Sequence, residues 1–324
     1  MILLIFGCLP NKSPLDESGG SPVDADQDGY VHWEDAADPS VADCDDQDPD
    51  ITPENLIYIP AGDFPRGANQ SDDASPMEAI TLSAYCIHKY EQSNAQFALF
   101  MNTQRQMGYP NQTIDGQPLF DFEDNDDEYP ERILDNGSEY LVMTGYSDHP
   151  VVEIYKWSAS SYCQFHNMSL PTEAQWEKAA RGTTENIFPW GNTPATCELA
   201  NFWPRQDNGQ PAERCVDDTA PVDSYPQGVS PYGVYNMAGN VSEWVFDLYQ
   251  PDYYQQSPQV DPQGPSTGWA QDQNNPDGFA ATVSRGGSLG SGDGSLRTFH
   301  RVAEPLEATS NGLGFRCVMN LDSY

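Results

Sequence analysis

Three stretches of this sequence carry side chains and backbone groups at spacings that suit chemistry, and the first two suit a hard cation. Between residues 24 and 35, carboxylates recur at Asp24, Asp26 and Asp28. Gly29 permits a sharp turn, the carbonyl of Tyr30 follows, and Asp35 closes a frame with the spacing of a calcium loop. Asp35 stands where a longer Glu is usual, so its reach for bidentate ligation is short. The alternative is a solvated acidic linker. Residues 232–247, YGVYNMAGNVSEWVFD, form the second stretch. It is too broken for an amphipathic helix and too rich in glycine for an ordinary strand, so a buried loop is expected. Asn236 and Glu243 supply side-chain oxygens, and a turn at Gly239-Asn240 can aim carbonyls between them, which suits Ca²⁺. The alternative is a tight turn with Glu243 on the surface.

The third stretch gathers Ser288, Ser291, Asp293, Arg297 and His300. A serine hydrolase needs a nucleophile elbow and an oriented base, and Gly287-Ser288-Leu289-Gly290 lacks the G-x-S-x-G form. A glycine-rich loop whose hydroxyls satisfy its own backbone is the competing reading. His149 and His166 lie 17 residues apart without a third ligand at suitable spacing. They read as structural, as do His32 and His88.

These groups need a scaffold. Residues 57–64 read as a strand ending in a turn at Ala61-Gly62, and residues 80–87 as a second strand. Ser93 reads as the N-cap of a helix over residues 95–101 that turns Phe97, Leu99 and Phe100 to the core. Residues 108–140 are polar and turn-rich and read as a long loop or a binding surface. A helix is expected over residues 157–166. Another starts at Thr172, where Gln175 completes a capping box and Trp176, Ala179 and Ala180 form the buried face.

The chain has 324 residues, 38% of them hydrophobic, enough for one large domain with an extension. Its formal net charge of −36 argues against nucleic acid or an anionic membrane surface as a direct partner. Residues 1–8 are a short apolar run ending in Cys8. Residues 9–22 read as a flexible tether and residues 23–54 as an acidic calcium-binding extension. Seven residues cannot span a bilayer. Ile5-Phe6-Gly7-Cys8 resembles a bacterial lipobox, which implies lipidation at Cys8 and an extracytoplasmic lipoprotein, with secretion as the alternative and a membrane contact only through that anchor. Setting Cys8 aside leaves six of the seven cysteines, an even number suited to an oxidising compartment.

Residues 232–247 also resemble the GLYDMAGNVWEW signature of the formylglycine-generating enzyme (sulfatase-modifying factor) family. Further blocks agree in order. They are Ile59-Pro60-Ala61-Gly62, Lys89-Tyr90-Glu91-Gln92-Ser93-Asn94, His149-Pro150-Val151-Val152, Leu170-Pro171-Thr172-Glu173-Ala174-Gln175-Trp176-Glu177, Phe188-Pro189-Trp190-Gly191-Asn192, Arg285-Gly286-Gly287-Ser288 and Gly314-Phe315-Arg316-Cys317. The resemblance covers residues 55–320, and residues 55–324 are taken as the domain. It implies an α+β fold, the family's variant of the C-type-lectin-like fold, with short strands, few helices and long loops. It also implies a Cys163–Cys317 disulfide. Cys197 and Cys215 are the natural local pair around a loop insertion, and Cys44 with Cys86 follows only by elimination.

The resemblance further implies two calcium sites. One would take Asn236 and Glu243 by side chain with Gly239 and Val241 by carbonyl. The other would take the Asn201 side chain and the Phe202 carbonyl, although its acidic partner does not align. Framework arginines Arg285, Arg301 and Arg316 are expected to pair with Glu173, Glu177 or Asp247. Catalytic members bind Cu(I) through two thiolates shortly after the Arg-Gly-Gly-Ser turn, soft ligands that Cu(I) requires. Ser291 and Leu296 stand at those positions, and no cysteine lies between Cys215 and Cys317. The expectation is a calcium-binding, non-catalytic surface module without copper, acting on an unidentified protein or glycan. The alternative is a metal-dependent oxidase or hydroxylase using Asp293 and His300.

Overall fold

A computed structural model describes residues 25, 30–32, 42–44, 55–69, 73–122, 131–205, 213–271 and 275–321. Asp24, Asp26, Asp28 and Asp35 of the first cation loop, and Cys8 of the lipobox, lie outside the described residues. Among the described residues the strands are short: β1 (Val31–His32), β2 (Ala42–Asp43), β3 (Leu56–Ile59), β4 (Gly62–Arg66), β5 (Glu78–Leu82), β6 (Tyr85–His88), β7 (Ile133–Asp135), β8 (Tyr140–Val142), β9 (Ser242–Leu248), β10 (Ala281–Arg285), β11 (Val302–Pro305), β12 (Leu313–Gly314) and β13 (Val318–Asn320). The helices are α1 (Asn94–Gln106), α2 (Lys156–Phe165) and α3 (Glu173–Arg181). The architecture is α+β and rich in loops, as expected.

Two sheets carry the molecule. One runs β11-β10-β9-β12, antiparallel except for the parallel pair β12 and β9, and the other runs β13-β6-β3. Strand β9 serves two cores because successive side chains point to opposite faces. Val245 joins the core of Trp176, Ala179, Met237 and Val283, while Trp244 joins that of Phe97, Tyr162 and Phe315. Helix α3 fits its place through the expected capping box of Thr172 with Gln175, and its buried face holds Trp176, Ala179 and Ala180. Ser93 caps α1 in the same way, with Gln96 as the reciprocal partner.

Several expectations are corrected. The strand expected over residues 80–87 is two strands, β5 and β6, parted at Ser83-Ala84, where Ser83 donates through backbone N and hydroxyl to Asp261 at 2.7 and 2.8 Å. Leu99 is 69% exposed instead of buried, because positions 97, 100, 101 and 104 form the inward stripe of α1. The loop expected over residues 108–140 contains β7 and the start of β8, an antiparallel hairpin. The buried loop expected over residues 232–247 holds only to Val241, after which β9 begins at the centre of its sheet.

Three disulfides tie these elements: Cys163–Cys317, Cys197–Cys215 and Cys44–Cys86. All three expected pairings are present. The last joins the segment carrying β2 to β6. Among the described residues no helix is long and apolar enough to cross a membrane.

Candidate functional site

Glu243 sits near the start of β9 with no exposed surface. Its Oε1 accepts from Arg316 Nη2 at 2.7 Å, and its Oε2 accepts from Arg316 Nε at 2.8 Å and Trp176 Nε1 at 2.9 Å. Arg316 also donates to the carbonyls of His88, Lys89 and Tyr235. This is a bidentate buried ion pair, the geometry guanidinium offers a carboxylate. Two expectations change here. Glu243 is the counter-ion of Arg316 and does not turn to the neighbouring loop carbonyls, and Arg316 pairs with Glu243 instead of Glu173, Glu177 or Asp247.

The loop before β9 is organised around a different carboxylate. Asn236 and Asn240 take left-handed conformations, φ 53° and 62°, and both side-chain amides donate to Glu91 Oε2 at 2.8 Å. The backbone N of Val241 donates to Glu91 Oε1 at 3.3 Å. Gly239 is required, because a Cβ there would lie 2.4 Å from the carbonyl oxygen of Asn201. In the set Asn236, Gly239, Val241 and Glu243 the carboxylate is thus already engaged by three donors, which disfavours a cation held chiefly by Glu243. Glu91 was missed as a functional residue because its partners lie 145 to 150 positions away.

Burial, followed by the charge of Glu243, pushes the Glu91 carboxyl from 4.5 up to about 8, while Arg316 and the two asparagine amides pull the other way. An acid raised in the folded state binds more protons there than in the unfolded chain. Its contribution is complete below about 4.5 and is lost as pH rises through about 8. A melting series should show Tm falling across this window, and Glu91→Gln should flatten that slope. A slope unchanged in the variant would remove Glu91 as its source.

Asn201 has the opposite character. Its Nδ2 donates to the carbonyl of Asp218 at 2.8 Å, which fixes the amide's orientation, and its buried Oδ1 has no hydrogen-bond partner. The Phe202 carbonyl accepts from the N of Cys215 at 3.1 Å and keeps one lone pair. The acidic partner that does not align has no substitute in the Asp218 side chain, which is engaged by Arg132 and by the Tyr146 hydroxyl at 2.7 Å. An unpaired buried oxygen is costly in an apolar setting, so the donor set at Asn201 fits an absent cation better than that at Glu243.

Behind the third stretch lies a buried charge network. Arg285 pairs with Glu173 at 3.0 Å and Glu177 at 2.7 Å, and Arg301 pairs with Glu173 at 2.7 Å, as expected for these two arginines. Asp247 accepts from the N of Glu173 at 2.7 Å. Burial and then the charge of Glu173 push its carboxyl up to about 7. The turn leaving β10 passes through Gly286 and Gly287 at φ 91° and 70°. Ser288 then donates its N to Ser291 Oγ at 3.0 Å, and Trp203 N donates to the Ser291 carbonyl at 2.9 Å. Leu296 has no exposed surface and packs with Phe188, Ala200, Phe202 and Ala238.

Asp293 and Arg297 are exposed, whereas His300 is half-buried and held below its usual pKa by burial and then by Arg285. The hydroxyls of Ser288 and Ser291 lie 3.4 Å apart, and no hydrogen bond joins either to His300 or Asp293 among the described residues. Nor do three His, Cys, Asp or Glu side chains gather there closely enough to share a metal ion. His88 is structural: its Nδ1 faces Gln92 Nε2 at 2.5 Å and the N of Cys317 at 3.3 Å.

The sulfatase-modifying factor enzyme 1-like domain matches residues 42–321, a span that takes in β2 and Cys44. The formylglycine-generating enzyme of Streptomyces coelicolor is 31% identical over 294 residues, covering 82% of this chain and 89% of that enzyme. The serine/threonine-protein kinase pkn1 of Chlamydia caviae is 32% identical over 268 residues, which is 81% of this chain but 37% of the kinase. The chain thus spans little over a third of that relative. Among solved structures, PvdO from Pseudomonas aeruginosa superposes with a TM-score of 0.57 at 20% identity, covering 82% of this chain and 94% of PvdO. At that identity the likeness concerns the fold alone.

Proposed function

Because this chain belongs to the sulfatase-modifying factor enzyme 1-like family, we propose that it is an extracytoplasmic, calcium-stabilised binding module of that family which does not generate formylglycine. One observation carries the reading. At the positions where the family resemblance puts the copper-binding thiols stand Ser291, whose hydroxyl accepts from the N of Ser288, and Leu296, packed out of solvent. Neither offers the soft ligand Cu(I) needs. Among the described residues all six cysteines, at 44, 86, 163, 197, 215 and 317, are consumed in disulfides, so none of these is left to substitute.

Three disulfides in one domain suit an oxidising compartment. Cys8 would carry the lipid that holds the module at a surface, and Asp24, Asp26, Asp28, Tyr30 and Asp35 would bind a further calcium ion ahead of the domain. Within the domain, Asn201 through Oδ1 and Phe202 through its carbonyl would hold Ca²⁺, which would supply the missing partner of that buried oxygen. The loop face around residues 288–300 serves as the recognition surface.

The copper side is tested by competition for Cu(I) against a bicinchoninate chelator. The chain should leave the chelator complex intact, and stoichiometric withdrawal of copper would sink the reading. The calcium side is tested by melting with and without a chelator of divalent ions. Calcium should raise the Tm of the wild type, and Asn201→Ala should lose most of that rise. An equal rise in both proteins would place the ion elsewhere.

A further inference from the structure

The chain has ten arginines among 14 basic residues, against 50 acidic ones. Six are buried, at 66, 132, 181, 285, 301 and 316, and Arg105 pairs with Asp135 at 2.6 Å. The remaining three, Arg205, Arg214 and Arg297, gather around one turn. The Arg205 side chain lies over Gly292, 3.0 Å from where a Cβ would stand, and Arg297 lies over Gly294 at the same 3.0 Å. Arg297 Nε donates to the Gly294 carbonyl at 2.8 Å. The Arg214 guanidinium stacks 4.8 Å from the centre of the Trp203 ring, and Trp203 holds the same turn through Ser291.

The two glycines, two positions apart, leave room for the two arginine side chains close over the turn, and both arginines are exposed. Among the described residues neither Arg205 nor Arg297 has a carboxylate within 4.0 Å. Asp293 is the one acid between Arg285 and Arg297, and it forms no ion pair with either Arg205 or Arg297. Two cations on one turn, without a counter-ion among the described residues, repel each other until an anion bridges them.

We propose that the face formed by Arg205 and Arg297 over residues 288–296 recognises the carboxylates of an acidic peptide segment on a partner protein. The inference rests on the reading of this face as a recognition surface and names what it takes. Guanidinium forks match carboxylates bidentately, and glycine backbone admits a main chain at close range. A sugar ring would want a bare aromatic face, but the rings here are already covered. Trp203 faces Arg214, Trp190 stacks on Phe188 at 5.2 Å, and Phe299 faces Arg297 at 5.7 Å. The overall negative charge opposes approach from a distance but is screened beyond about 8 Å at physiological ionic strength, so the local cations decide the contact.

The test is fluorescence anisotropy with the full chain and a labelled Glu-Gly repeat peptide, set against its Gln-Gly counterpart. The acidic peptide should bind saturably and the neutral one should not. The double variant Arg205→Gln/Arg297→Gln should weaken binding by on the order of tenfold or more. Arg105→Gln, which removes a charge away from the turn, should leave it unchanged. Asp293→Asn should tighten it. Equal binding of both peptides, no binding, or an undiminished affinity in the double variant would overturn the proposal. So would a sulfated glycan that binds through the same arginines while the peptide does not. Turnover of a cysteine peptide would instead sink the non-catalytic reading and leave the binding result standing.

Discussion

Arg316→Met should cost about 3–5 kcal/mol of stability, and adding calcium should not restore it. The variant strands the buried Glu243 carboxylate, at 0% exposure, and removes the cation that opposes protonation of the buried Glu91. It also takes a donor from the carbonyls of Tyr235, His88 and Lys89, the last of which keeps the N of Tyr235. Set against a domain stability of about 5–15 kcal/mol, such a loss is a large share of the whole. Pairing it with Glu243→Gln removes the stranded charge and should recover part of the loss. If Glu243 were a calcium ligand, freeing it from Arg316 would make stability depend more steeply on calcium. A calcium-rescued Arg316→Met would therefore reinstate the cation reading of the loop that the ion pair replaces.

The second large effect concerns the disulfides. Cys163–Cys317 closes a separation of 154 residues and Cys197–Cys215 one of 18. Loop-closure entropy gives about 5 kcal/mol for the long loop and about 3 kcal/mol for the short one. Replacing both cysteines of each pair by alanine should thus lower stability more for the first pair, by about 2 kcal/mol. Packing reinforces the order, because Cys163 and Cys317 lie unexposed in the core with Phe97 and Phe315. Denaturant unfolding of the two double variants measures it directly. A smaller loss for the long loop would mean that its unfolded chain keeps structure bridging α2 and β13.

What could be read in the sequence was local. Ser93 with Gln96 and Thr172 with Gln175 announce their helices because a capping box spans three residues and needs no tertiary partner. The Trp176, Ala179, Ala180 stripe follows from helical period. Leu99 was misassigned because three closely spaced apolar residues, 97, 99 and 100, cannot share one face, and only packing tells which side wins. Ser83 looked like part of a strand because Asp261, the acid that captures it, lies 178 residues away. Glu91 was hidden for the same reason. It sits between Tyr90 and Gln92 without an evident role until Asn236 and Asn240 fold over it. Glu243 stood out as an oxygen donor, yet the identity of what it binds is a tertiary fact, set by Arg316 on a segment 73 residues further on. The proposed peptide-binding face has the same tertiary origin. Nothing in the spacing of Arg205 and Arg297 suggests that they would meet glycines 292 and 294 of one turn.

The most direct test of the account offers a cysteine-containing sulfatase-type peptide to purified chain with Cu(I) and oxygen, and follows the peptide by mass spectrometry. The chain should leave the thiol unconverted while a formylglycine-generating relative, run alongside, oxidises it. Copper-dependent loss of the thiol with gain of the aldehyde, in proportion to the amount of this chain, would contradict the account.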